Sequence, residues 1–87
     1  MKELEKQMKA LANGRRLAIL KYLKKERFAS VGDIAEEIKL SFKATSKHLG
    51  ILYAVGILEK DQQSLMINYR LADAQHKTTR QVITTIW

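Results

Sequence analysis

Leu40-Ser41-Phe42-Lys43-Ala44-Thr45-Ser46-Lys47-His48-Leu49 is the stretch on which the reading of this chain turns. Ser41 carries a hydroxyl that can accept a hydrogen bond from a backbone N–H two or three residues on, which predicts the N-cap of a helix. Behind it Thr45, His48, Leu49 and Leu52 recur at spacings of three and four, one face of a helix that Gly56 then stops. The opposite face displays Phe42, Lys43, Ser46, Lys47 and Gly50: hydrogen-bond donors, a hydroxyl and little bulk near the middle. Between Glu37 and Glu59 there is no acidic residue, while Lys39, Lys43 and Lys47 follow one another at four-residue intervals.

Working upstream, Ser30 is followed by Asp33 and then by Ile34, Ala35 and Ile38, which predicts a helix that starts at Ser30 and ends near Leu40. Two helices with almost no linker, the second opened by its own cap, predict a helix-turn-helix over about 30–55. Further upstream, Asn13 reads as an N-cap for a core helix from Arg15 to about Lys25, with Leu17, Leu20 and Leu23 as its stripe. Leu4, Met8 and Leu11 mark a first amphipathic helix over 2–12. Downstream the period changes. Ile57-Leu58-Glu59-Lys60 and Leu65-Met66-Ile67-Asn68-Tyr69-Arg70-Leu71 flank the polar tip Asp61-Gln62-Gln63-Ser64, a β-hairpin over 57–71. In the tail, 73–87, Val82, Ile83, Ile86 and Trp87 share one face of a helix, although the β-branched content also permits an extended segment. The expected fold is mainly α with one small β-hairpin, in the order helix, helix, helix, helix, strand, strand, helix, as a single domain over 1–87.

Composition narrows the function. Eighty-seven residues, 46% of them hydrophobic, suffice for one modest core. No apolar run approaches the roughly 18 residues that cross a bilayer. Lys2, Glu3, Glu5 and Lys6 interrupt the start of the chain where an export signal needs an apolar stretch, so the expected compartment is the cytoplasm. The absence of cysteine removes disulfides, thiolate metal sites and a thiol nucleophile together. Glu36 and Glu37 are adjacent rather than on one face, and no nucleophile pairs with His48, which reads as a partly buried positioning residue, so no enzyme is expected. Sixteen Lys and Arg against nine Asp and Glu leave a net charge of +7, which favours a polyanionic partner over mere solvation.

A B-DNA major groove about 12 Å wide accepts one helix, and residues near that helix's N-terminus read its base edges. Lys43, Ser46 and Lys47 stand at such positions, and the backbone N–H groups after Ser41 suit a phosphate. Phe42 either touches a thymine methyl or folds back on the preceding turn. The plain alternative is that three lysines solvate a surface helix.

With these residues in place, the chain from about Lys9 to Leu71 resembles the ArsR-type family of winged helix-turn-helix repressors. Three segments carry the likeness: Leu11-Ala12-Asn13-Gly14-Arg15-Arg16-Leu17-Ala18-Ile19-Leu20, the stretch from Leu40 to Leu49, and Val55-Gly56-Ile57-Leu58 through Asn68-Tyr69-Arg70-Leu71. The resemblance implies that Ser41, Lys43, Ser46 and Lys47 face DNA, that the hairpin is a wing over the flanking backbone or minor groove, and that the first and last helices form a dimer. The tip, with Gln62 and Gln63, lacks the arginines often found there, leaving Lys60 and Arg70 as the expected phosphate contacts. Metal sensing, known in many members, is not expected: there is no cysteine, and Asp73 and His76 are not joined by a second histidine. No metal and no cofactor enter the reading.

Leu4, Met8, Val82, Ile83, Ile86 and Trp87 exceed what so small a core encloses, which predicts a homodimer, the alternative being that the tail folds over its own core. The expectation is a homodimeric repressor that binds double-stranded DNA at an inverted repeat. A protein-interaction module of the same fold, docking an acidic partner protein, is the competing reading.

Overall fold

In the computed structural model, which describes residues 1–63, 65–73 and 77–86, α1 (Lys2–Leu11) precedes three helices that each open on a side-chain cap. Asn13 Oδ1 accepts from the Arg15 and Arg16 N–H groups at 2.9 and 3.1 Å and starts α2 (Gly14–Glu26). Ser30 Oγ accepts from Asp33 N–H at 3.2 Å and starts α3 (Val31–Ile38). Ser41 Oγ accepts from Ala44 N–H at 3.1 Å and starts α4 (Phe42–Ala54). Each cap satisfies a helix N–H that has no partner within the helix.

The helix ends are equally local. Lys39 adopts φ 56°, and the N–H groups of Lys39 and Leu40 return to the carbonyls of Glu36 and Ala35 at 3.3 and 3.0 Å, a Schellman closure that turns the chain from α3 straight into α4. Gly56, at φ +83°, closes α4 the same way: its N–H reaches Tyr53 O at 3.1 Å, and Ile57 N–H reaches Leu52 O at 3.0 Å. Of the four glycines, Gly56 alone has a positive φ.

One strand lies outside the sequence expectation. Arg27, at φ 77°, ends α2, and Phe28–Ser30 then runs extended as β1, which pairs antiparallel with the hairpin. The hairpin strands are β2 (Leu58–Gln63) and β3 (Met66–Leu71), paired with Glu59 opposite Arg70 and Gln63 opposite Met66. The sheet therefore has three strands in the order β1-β3-β2, with Ala29 opposite Tyr69 on its inner face. Three residues are too few to announce a strand by alternation. The tail forms a helix, α5 (Lys77–Ile86).

Ile19, Leu20 and Leu23 of α2, Ile34 of α3, Leu49 and Leu52 of α4, and Ile57, Leu58 and Tyr69 of the hairpin region make one core. Ile83 of α5, one of the residues expected at a dimer interface, belongs to that same core and is 3% exposed in the single chain. The tail does fold back over its own chain, because α5 packs on α1 and offers the core its central isoleucine. Val82, Met8 and Leu4 stay half-buried, so part of the apolar surface on these two helices is still open. Inside, Gln7, 1% exposed, donates from Nε2 to Val55 O at 3.0 Å and ties α1 to the last turn of α4. No described helix is long and apolar enough to cross a membrane.

Candidate nucleic-acid interface

Thr45, Leu49 and Leu52 are fully buried, and this fixes the rotation of α4 about its own axis. Phe42, Lys43, Lys47 and Gly50 are consequently exposed and Ser46 half-exposed, all on the side away from the core. Phe42 is 61% exposed. Ser41 is exposed beside it at the start of the helix. Gly50 sits mid-helix where a Cβ would meet no atom within 4 Å, so nothing inside the molecule requires a glycine there.

His48 is half-buried on the flank of α4, with Nδ1 3.4 Å from a guanidinium nitrogen of Arg16. Arginine only donates, so Nδ1 must accept and the ring carries its proton on Nε2. Burial, then the charges of Arg16, Arg15 and Lys47, holds the imidazole pKa below its ordinary value. Arg16 also donates from Nε to Ala10 O at 2.6 Å, so one side chain joins the end of α1 to α4. His48 thus ties α4 to α2 through Arg16.

The hairpin cations are engaged within the protein. Arg70 bridges to Glu59 at 2.5 Å, Asp61 at 3.1 Å and Asp73 at 4.0 Å, and these carboxylates, led by the Asp61 hydrogen bond, raise its pKa further. Glu59 lies directly across from it in the β2-β3 register and Asp61 diagonally, a pairing that only the strand register creates. The Lys60 ammonium lies 4.4 Å from the centroid of the Tyr53 ring, at cation–π distance. Gln62 is exposed on β2; the Gln63 side chain and Ser64 lie outside the described residues. So do the Ile86 side chain and Trp87, two of the residues expected at a dimer interface, and His76. Among the described residues no three His, Asp or Glu side chains gather as metal ligands would.

Sequence reasoning missed the apolar face of the hairpin. Leu65, Met66 and Ile67 are 97%, 57% and 38% exposed, and with Phe42, Ser30, Val31 and Gly32 they line a groove of about 230 Å³. The available signal was the run Leu65-Met66-Ile67, three consecutive apolar residues of which strand alternation can bury at most every second one.

The geometry is that of a winged helix-turn-helix, and comparison with known proteins agrees. The reduced form of HlyU from Vibrio cholerae superposes with a TM-score of 0.82 at 28% identity, covering 97% of this chain and 84% of that one. The homodimeric winged helix-turn-helix DNA-binding domain Mb0332 from Mycobacterium bovis does so at 0.82 and 27%, covering 98% and 75%. The transcriptional repressor PagR of Bacillus anthracis, 23% identical with a TM-score of 0.83, covers 99% and 94% and shares the fold. No curated protein matches the chain in sequence. The profile of the arsR family of bacterial regulatory proteins matches residues 13–60, which takes in α2, the helix-turn-helix and the start of the wing. The chain belongs to that family: it is a DNA-binding transcriptional regulator and not an enzyme.

Proposed function

We propose that this regulator reads double-stranded DNA in sequence-specific fashion as a homodimer, and represses by occupying a promoter in the cytoplasm. The observation that carries the reading is the exposed, acid-free face of α4, where Phe42, Lys43, Ser46, Lys47 and the bare backbone of Gly50 stand together. That face enters the major groove. Lys43, Ser46 and Lys47 contact base edges, Phe42 a thymine methyl, and the N–H groups after Ser41 a phosphate. Gln62 and Gln63 follow the flank. Lys60 can leave the Tyr53 ring for a phosphate, whereas Arg70 holds the wing together through its carboxylates.

The dimer uses the half-buried apolar side chains of α1 and α5, Leu4, Met8 and Val82, together with Ile86 and Trp87. Mb0332, at 27% identity, is a homodimer, which supports the arrangement. Two α4 helices related by a two-fold axis lie about one DNA turn apart, roughly 34 Å, and so demand an inverted repeat.

Fluorescence anisotropy against the duplex upstream of the protein's own gene and against a scrambled duplex, each at several salt concentrations, tests this. A preference of about a thousandfold for the upstream duplex is the expected result. Equal, steeply salt-dependent binding to both would remove sequence reading, and no binding to either at low salt would transfer the face to an acidic protein partner.

A further inference from the structure

We infer that the wing tip is an apolar wedge: Leu65 and Met66 enter the DNA minor groove beside the recognition helix and unstack a base step there, so preference in the flank follows step deformability. The inference rests on the DNA-binding reading above and adds a specificity element to it.

Three observations carry it. Leu65 is 97% exposed and Met66 57%, at the turn end of β3, away from the buried Tyr69. From Asp61 to Tyr69 the chain holds no cation, and of the two that flank this segment Arg70 is held by Glu59 and Asp61, which leaves Lys60, at the base of the hairpin, as its one cation for a phosphate. A phosphate-gripping wing would need the opposite arrangement. Finally, the tip is continuous through Ile67 and Phe42 with the start of α4, where Lys43 and the positive helix end stand. An occupant of that surface must therefore combine negative charge at its rim with apolar surface inside a groove. A duplex supplies the first through its phosphates and the second through the base faces that unstacking of one step exposes. Leucine and methionine inserted from the minor groove partly unstack a step and kink the duplex, most readily at pyrimidine–purine steps.

The test uses the full chain and a duplex selected by it from a randomised library, with 2-aminopurine placed at a flanking TA step. Wild-type protein is expected to raise the 2-aminopurine fluorescence on binding. Leu65→Ser and Met66→Ser, changes at exposed sites that circular dichroism should find folded, are each expected to lower affinity about tenfold, the lower end of what burying one such side chain is worth. They should abolish the fluorescence rise and leave the salt slope unchanged. Leu65→Arg should steepen the salt slope by about one counterion without restoring the fluorescence. Wild-type affinity and fluorescence in both serine variants would overturn the wedge while leaving DNA binding intact. A wild-type complex with no fluorescence rise would do the same. A serine variant that changes the oligomeric mass in light scattering, but not DNA affinity, would make the tip a contact between copies. Failure of the wild-type protein to select any duplex would bring down both readings.

Discussion

Replacing Ile83 by alanine separates two roles that α5 can play. The side chain is 3% exposed in the single chain and belongs to its core. The change removes three carbon groups at about 0.8 kcal/mol each, and incomplete collapse of the cavity brings the loss to about 3 kcal/mol. With 87 residues and an unfolding entropy of about 2.1 cal/mol/K per residue, the midpoint should fall by roughly 16 °C. Val82→Asp, one position away but half-buried on the outer side, should instead turn dimer into monomer. Urea denaturation followed by circular dichroism at several protein concentrations measures the first effect, and light scattering the second. The concentration series matters because dimerisation itself adds to apparent stability. If Ile83→Ala shifted stability by less than about 0.5 kcal/mol yet dissociated the dimer, its burial would come from a second copy and the packing of α5 on its own chain would be refuted.

Lys43→Ala and Lys47→Ala should each weaken DNA binding by about 1 to 3 kcal/mol if they read base edges, with relaxed specificity at one position. A uniform loss across sequences with a shallower salt slope would assign them to phosphates instead. Gly50→Ala should stabilise the fold by about 0.5 to 1 kcal/mol, since the site is helical and open, and should weaken DNA binding by crowding the groove; unchanged binding would refute the close approach. His48 supplies a pH dependence. Its folded pKa lies below the ordinary 6.5, so between the two values the unfolded chain holds a proton that the folded chain lacks, and stability rises with pH there. Stability should therefore be flat above about pH 6.5, fall as pH drops through that value, and level off below the folded pKa. His48→Gln keeps an acceptor for Arg16 and should flatten the curve in that window; an unaltered slope in urea titrations would show that another group is responsible.

The legible parts of this protein are those decided within a few residues. Asn13, Ser30 and Ser41 cap helices because a side-chain oxygen needs only the next turn, and Gly56 ends α4 because a positive φ is a property of one residue. The outward face of α4 follows from Thr45, Leu49 and Leu52 by the helical period alone. Tertiary structure decided what depends on partners far along the chain. Phe28–Ser30 is a strand only because β3, some forty residues on, offers its edge. Arg70 looks like a free cation until the register sets Glu59 and Asp61 around it. Val82 and Ile83 are equally apolar neighbours, and only the docking of α5 against α1 sends one into the core and leaves the other half-buried at its edge. Leu65, Met66 and Ile67 read as part of an apolar strand run, and only the folded chain shows them exposed along a groove with Val31 and Phe42. Capping and periodicity act through bonds and neighbours one turn apart, so composition and order determine them. Burial, register and the commitment of a charge are settled by which surfaces meet, and that is a property of the folded chain.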